Sequence, residues 1–217
     1  MSDPDVIPDT DAPPSSLWSR MKADPQFAPE HLALEAVRRL GPEAAAWVAE
    51  RPDLTPDQLA DQAIKRFINL ARLSGAVSGV AGLPGAVLDV GVLAWTQARM
   101  ALHVAAAYGA DPTATERATD LLVLQRVHKM AETARLALGV AAGREHASRL
   151  FDGGASRPLS GVVVKLGVRL AQMAGVRAAK RLFAKMIPGA SIVLGTWVNS
   201  AATKDLAERA RRLYRPA

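Results

Sequence analysis

Apolar positions along this chain recur at helical rather than strand spacing, and prolines and glycines divide them into segments. Leu59, Ala63, Phe67, Leu70 and Ser74 share one stripe, with Lys65, Arg66 and Arg72 largely on other faces. That spacing predicts an amphipathic helix opening at Thr55, ahead of Pro56 and Asp57. Upstream, Pro29 to Leu40 before Gly41, and Pro42 to Glu50 before Pro52, predict two short helices. Proline suits a first helical turn and glycine the position just past a last one. Downstream, Gly85 to Tyr108 predicts a long helix closed by Gly109. Asp111 then caps a helix from Pro112, with Thr113 and Glu116 in capping-box spacing as an alternative start, and the pattern runs to about Val140. A short piece from Arg144 to Phe151 and a loop at GGASRPLSG precede two long helices, Leu159 to Lys185 and Pro188 to Tyr214. In the last of these, Leu206, Ala210, Leu213 and Tyr214 are expected inward, and Arg209, Arg211, Arg212 and Arg215 outward.

From Leu73 to Ala98 the chain runs for 26 residues with Asp89 as the sole ionisable side chain. That length can cross a bilayer. Pro84, however, sits inside GLPG, where a helix interior would lose a backbone hydrogen bond and clash with the preceding turn. Two helices meeting at a bend are therefore expected. Ala71, Gly75 and Gly79 fall four apart, and Ser78 with Gly82 repeats the step, which permits close approach of another backbone in a membrane pair or a tight soluble crossing. The proline and Asp89 favour the second. PGAVLDVG at 84–91 is echoed by PGASIVLG at 188–195; duplication and coincidence in a chain rich in alanine and glycine both account for it. The expected fold is all-α, a bundle of long helices built around two Pro/Gly-broken apolar hairpins that turn at Gly82, Pro84 and Gly85 and at Pro188 and Gly189.

With 5% aromatic residues and abundant alanine, leucine and arginine, composition agrees with helix over sheet. The lack of cysteine excludes disulfides and thiolate chemistry and fits a reducing compartment. Residues 1–16 read as a disordered acidic tail with no secretory signal, so the expected location is cytoplasmic. Residues 17–57 read as short N-terminal helices and 58–217 as the main helical domain. The net charge of +6 is unevenly spread: residues 1–57 hold 11 acidic and 5 basic side chains, residues 144–217 hold 4 and 14. A positive end attracts clustered negative charge, and Lys180, Arg181, Lys185, Arg209, Arg211, Arg212 and Arg215 are candidate contacts to an anionic surface. A solvated helical face explains the same pattern.

No residue set suggests catalysis. His31, His103, His128 and His146 show no metal-ligand spacing, and no cofactor or metal is expected. His128 and Glu132 read as an ordinary helical pair. The glycines at 79, 82 and 85 lack both the strand and the GK[ST] of a phosphate loop. Asp89 shares a helical stripe with Thr96, Arg99 and His103. A carboxylate on an apolar helix needs a partner or loses its charge, so these four form a candidate buried polar network, or else a proton or ligand site. Nucleic acid is disfavoured as a partner, because the basic residues are dispersed and aromatics to stack bases are few.

The small-residue run with Pro84 and Asp89, then Gln97, then AAAYGADP at 105–112 and KMIPGASIVLGTWVNSAATKDLAERARRLYR at 185–215, resembles the EcsC protein family from about residue 58 to the end. The resemblance implies a bacterial, mostly helical protein, membrane-associated in some members, with no agreed catalytic activity and no active-site residues to carry over. The expected function is that of a non-enzymatic accessory or scaffold protein, peripheral at the cytoplasmic face of the membrane or on a membrane-bound partner. The alternative is a soluble bundle taking an apolar, lipid-like ligand or a partner helix between its hairpins, with Asp89 and His103 near the polar end. Oligomeric state is left open.

Overall fold

The computed structural model describes residues 12–74, 82–150, 169, 170, 173 and 193–216. The regular elements among them are helical: α1 (Ser15–Ala23), a 3-10 turn (Pro25–Phe27), α2 (Ala28–Ala49), α3 (Pro56–Ser74), α4 (Gly82–Ala107), α5 (Glu116–Leu124), α6 (Ala131–Leu150) and α7 (Val193–Tyr214). The fold is all-α. At its centre lies α4, against which α2, α3 and α7 all pack. From Val90 onward this helix is covered by protein: Val90, Leu93, Trp95, Met100, Leu102 and Val104 are all buried. Apolar residues on nearly every face of a helix require neighbours on nearly every side, and the surrounding helices supply them.

Where the first hairpin is expected, α3 packs against α4. The chain joining them, 75–81, lies outside the described residues, as do Pro188 and Gly189 and the second turn they were expected to form. Gly82 is the first residue of α4, so Pro84 and Gly85 fall in its opening turns, where a missing N–H costs nothing. Thr55 caps α3 as expected, its Oγ1 accepting from the Gln58 N–H at 3.3 Å while Gln58 Oε1 accepts from the Thr55 N–H at 2.9 Å. This reciprocal capping box satisfies two otherwise unpaired donors.

Several boundaries differ from expectation. The two short helices foreseen around Gly41 and Pro42 are one continuous helix, α2. Pro42 faces solvent, where water can reach the carbonyl it leaves unbonded, while Leu40, Ala44 and Trp47 bury the opposite face. Gly41 also presses on the backbone of the α4–α5 connection: a Cβ there would lie 2.6 Å from the Pro112 carbonyl oxygen. Its glycine serves close approach rather than termination.

The single helix foreseen from Pro112 to Val140 is two, broken at 125–130, and α6 then runs unbroken through Gly139 and Gly143 to Leu150. Arg126 adopts φ +58°, and the N–H groups of Arg126 and Val127 donate to Val123 and Leu122. That is a Schellman stop, with arginine in the position glycine usually fills. At the end of α4, Gly109 (φ +82°) makes the equivalent stop, its N–H donating to Ala106 and that of Ala110 to Ala105. Finally, α1 begins at Ser15, inside the expected tail. Its Leu17 and Met21 are fully buried, and Trp18 covers Gly91 of α4. The N-terminal helices therefore share one apolar core with α3, α4 and α7.

Alanine at position 41 gains helix propensity of about 1 kcal/mol but must push a backbone carbonyl away, at about 1–3 kcal/mol. Gly41→Ala is expected to lower the thermal midpoint, measured by circular dichroism. At position 126 a β-branched residue strains the left-handed conformation, so Arg126→Val is expected to be less stable than Arg126→Gly by about 1 kcal/mol or more in urea titrations.

Candidate functional site

The polar stripe of α4 enters the interior where α2, α3 and α4 meet. Thr96, Arg99 and His103 are all buried, Arg99 with 1% of its surface exposed and His103 with none. Thr96 Oγ1 donates to its own helix at the Val92 carbonyl, 2.9 Å away. Arg99 reaches across to α2, where its Nε donates to Glu43 Oε1 at 2.9 Å and its Nη2 donates to the same oxygen. A guanidinium this deep cannot shed its proton, so a carboxylate beside it is the condition for burying it. The Asp89 backbone lies in α4; its side chain lies outside the described residues.

His103 Nδ1 stands 2.8 Å from the Arg99 carbonyl oxygen, which can only accept. Nδ1 therefore carries the proton, and Nε2 turns toward Glu43 Oε1 at 3.7 Å. Burial drives the ring's pKa down to about 3 from its ordinary 6.5; the Arg99 carbonyl opposes this, and the nearby Arg99, Arg66 and Arg51 guanidiniums add to the fall. The imidazole is neutral at physiological pH, and its approach to Glu43 is not an ion pair. Trp47 of α2 and Phe67 of α3 meet the ring edge-on, with centroids 5.3 and 4.9 Å away. Arg99 also lies over Phe67 at 5.6 Å. The arrangement joins three helices and presents a neutral ring at its centre.

Other polar groups missed by sequence reasoning extend this junction. Glu35 on α2 is buried and takes hydrogen bonds from Arg20 of α1 at 2.7 Å, from Arg39 at 2.6 Å and from Arg38. Burial raises its pKa, but the three arginines outweigh burial and hold it below the usual value. The signal was available, since Arg38 and Arg39 follow Glu35 at three- and four-residue spacing. His128 does not pair with Glu132: it lies in the non-helical turn before α6 and its Nε2 meets Glu30 Oε1 of α2 at 2.8 Å. Gln97 donates a long, 3.5 Å hydrogen bond to Thr203 Oγ1 of α7, and Gln125 donates to the Ala94 carbonyl at 3.1 Å.

The candidate surface cations divide into two groups. Lys180, Arg181 and Lys185 lie outside the described residues. On α7, Arg209 donates to the Leu124 carbonyl at 2.9 Å, Arg211 pairs with Asp61, and Arg215 pairs with Asp57 at 2.7 Å. Arg212 is exposed. Tyr214 donates to Asp120 at 2.9 Å and Tyr108 to Asp57 at 2.7 Å, fastening α7 to α5 and α4 to α3. Leu206 and Ala210 are buried as expected, whereas Leu213 is 50% exposed because the helix turns its Tyr214 edge to α5 instead. Burial lowers the pKa of Arg209, and the charges of Arg126 and Arg212 add to the fall.

These features define an all-α bundle whose interior polar groups fasten helix to helix. The profile of the EcsC protein family matches residues 54–216, and the chain belongs to that family. No match is found among curated proteins or among solved structures. The matched segment begins just ahead of α3, so α1 and α2, including Glu43 and Trp47, lie outside it.

Removing the carboxylate leaves Arg99 charged and buried, so Glu43→Leu is expected to cost about 3–5 kcal/mol, and the pair Glu43→Leu with Arg99→Met less than the sum of the single changes. Urea titrations of the double-mutant cycle measure this. The unfolded His103 binds a proton near pH 6.5 that the folded ring takes up only near 3, so stability falls as pH drops through that window and is insensitive to this ring above it. Relative to His103→Leu, the parent protein should lose on the order of 1 kcal/mol per pH unit between about pH 6 and about pH 4.

Proposed function

We propose that this EcsC family protein is a non-enzymatic accessory or scaffold protein that associates peripherally with the cytoplasmic face of a membrane or with a membrane-bound partner. The observation that carries this reading is the distribution of charge: the acidic side chains gather early in the chain and the basic ones late, and Arg212 remains exposed on α7 among further arginines. No helix among the described residues is long and apolar enough to cross a membrane. The apolar length of α4 is spent on protein neighbours from Val90 onward, which directs any membrane contact to the molecular surface and its cations. Clustered arginine and lysine gain about 1 kcal/mol each near an anionic leaflet, a gain that salt screens. The alternative, an apolar ligand held between the hairpins beside Asp89 and His103, draws less support, because the rings of Trp47 and Phe67 already pack against His103.

Sedimentation with vesicles tests the proposal. The protein is expected to pellet with phosphatidylglycerol vesicles at low ionic strength, to stay in solution with pure phosphatidylcholine, and to be released by added salt. A protein that remains in the supernatant with both vesicle types removes the membrane-surface reading; a lipid retained through purification and seen by native mass spectrometry favours the alternative.

A further inference from the structure

Three of the four large apolar side chains left exposed among the described residues lie on α6 and the residue just before it: Met130 is 57% exposed, Leu136 73% and Val140 48%. Leu136 and Val140 sit four apart on α6, away from Ala134, Leu138 and Ala141, which face the core. A Cβ at Gly139 or Gly143 would meet nothing within 4 Å, so the outer face stays open along this stretch. Met130 stands at the helix start, where its carbonyl accepts from the Ala134 N–H at 3.2 Å and from Thr133 Oγ1 at 2.8 Å. The turn that delivers it is fixed by the left-handed Arg126 and by the contact of His128 with Glu30 on α2.

The same stretch of chain carries exposed cations. Arg126, Lys129 and Arg135 are exposed on the turn and the first turn of α6, against one exposed carboxylate, Glu132. On α7, Arg209 is anchored at the Leu124 carbonyl just before the turn, with Arg212, Asp205 and Glu208 as its charged neighbours. A turn fixed in place that holds apolar side chains in water on the same stretch as exposed cations is matched by an anionic bilayer. Its headgroups pair with guanidinium and ammonium, and its acyl boundary takes up Met, Leu and Val.

We infer that the α5–α6 turn and the outer face of α6 are the membrane-contacting element, with Met130, Leu136 and Val140 entering the acyl boundary and Arg126, Lys129 and Arg135 meeting anionic headgroups. This inference rests on the peripheral-membrane reading above and names the surface that serves it. Two variants of the full chain test it on vesicles of equal phosphatidylglycerol and phosphatidylcholine beside vesicles of phosphatidylcholine alone. The pair Leu136→Gln and Val140→Gln is expected to weaken binding by about tenfold or more, with an unchanged circular dichroism spectrum and an unchanged sedimentation coefficient. The triple change Arg126→Gln, Lys129→Gln and Arg135→Gln should abolish the preference for phosphatidylglycerol. If the parent protein binds and both variants bind equally well, α6 is not the contact, while the wider proposal stands. If the paired variant instead breaks up an oligomer with vesicle affinity unchanged, the face joins protein copies and the inference is overturned. A parent protein that binds no vesicle overturns both. Should the paired variant lose its helical spectrum, the single Leu136→Gln, at the most exposed of these positions, gives the same readout.

Discussion

A guanidinium taken out of water must keep a carboxylate within hydrogen-bond reach, and that requirement governs how the helices of this protein meet. Arg99 lies at the middle of the bundle on α4, and Glu43 on α2 is the carboxylate it holds. Once the pair is formed, α2 cannot slide or rotate on α4 without stranding a buried charge. His103, one turn further along α4, fills the space beneath the pair, with the rings of Trp47 and Phe67 against its edges, so α3 is drawn into the same registration. The polar stripe on α4 is thus the fastening of an otherwise apolar bundle. A neutral imidazole that burial has stripped of its basicity fits that role.

The same rule organises the outer ring of charges. Along the chain, acidic residues come early and basic residues late, and folding brings the two ends together. Asp57 and Asp61 on α3 receive Arg215 and Arg211 from α7, and Asp120 receives Tyr214. Among the described residues, Arg209, Arg211 and Arg215, which look available in one dimension, are therefore engaged within the fold. Exposed pairs of this kind contribute little stability individually, but they decide which cations remain free. Those near the α5–α6 turn share their stretch of chain with exposed apolar side chains, and this gives the proposed membrane contact a definite place on the molecule.

Proline and glycine mark the helix ends of this chain where the stop signal is chemical and local. Gly109 ends α4 because a left-handed residue is needed there and glycine adopts it without strain. The same stop at Arg126 carries no such mark, since arginine is a good helix former, and the break between α5 and α6 was read through. At Gly41 and Pro42 the local signal was present but meant something else. The glycine makes room for the Pro112 carbonyl, and the proline points to water, so neighbouring packing kept the helix whole.

What the amino-acid order determined by itself was the helical period, the class of fold, the family, and the burial of Thr96, Arg99 and His103 together, because a stripe on a helix depends only on spacing along one element. What only the tertiary structure decided was which groups answer that stripe. Glu43 lies 56 positions from Arg99 and Glu30 lies 98 positions from His128, so neither pairing has a periodicity to betray it. The partners of the arginines on α7 were hidden for the same reason. A side chain's charge is written in the sequence, but whether that charge is free or neutralised depends on distances that exist only after the helices have packed.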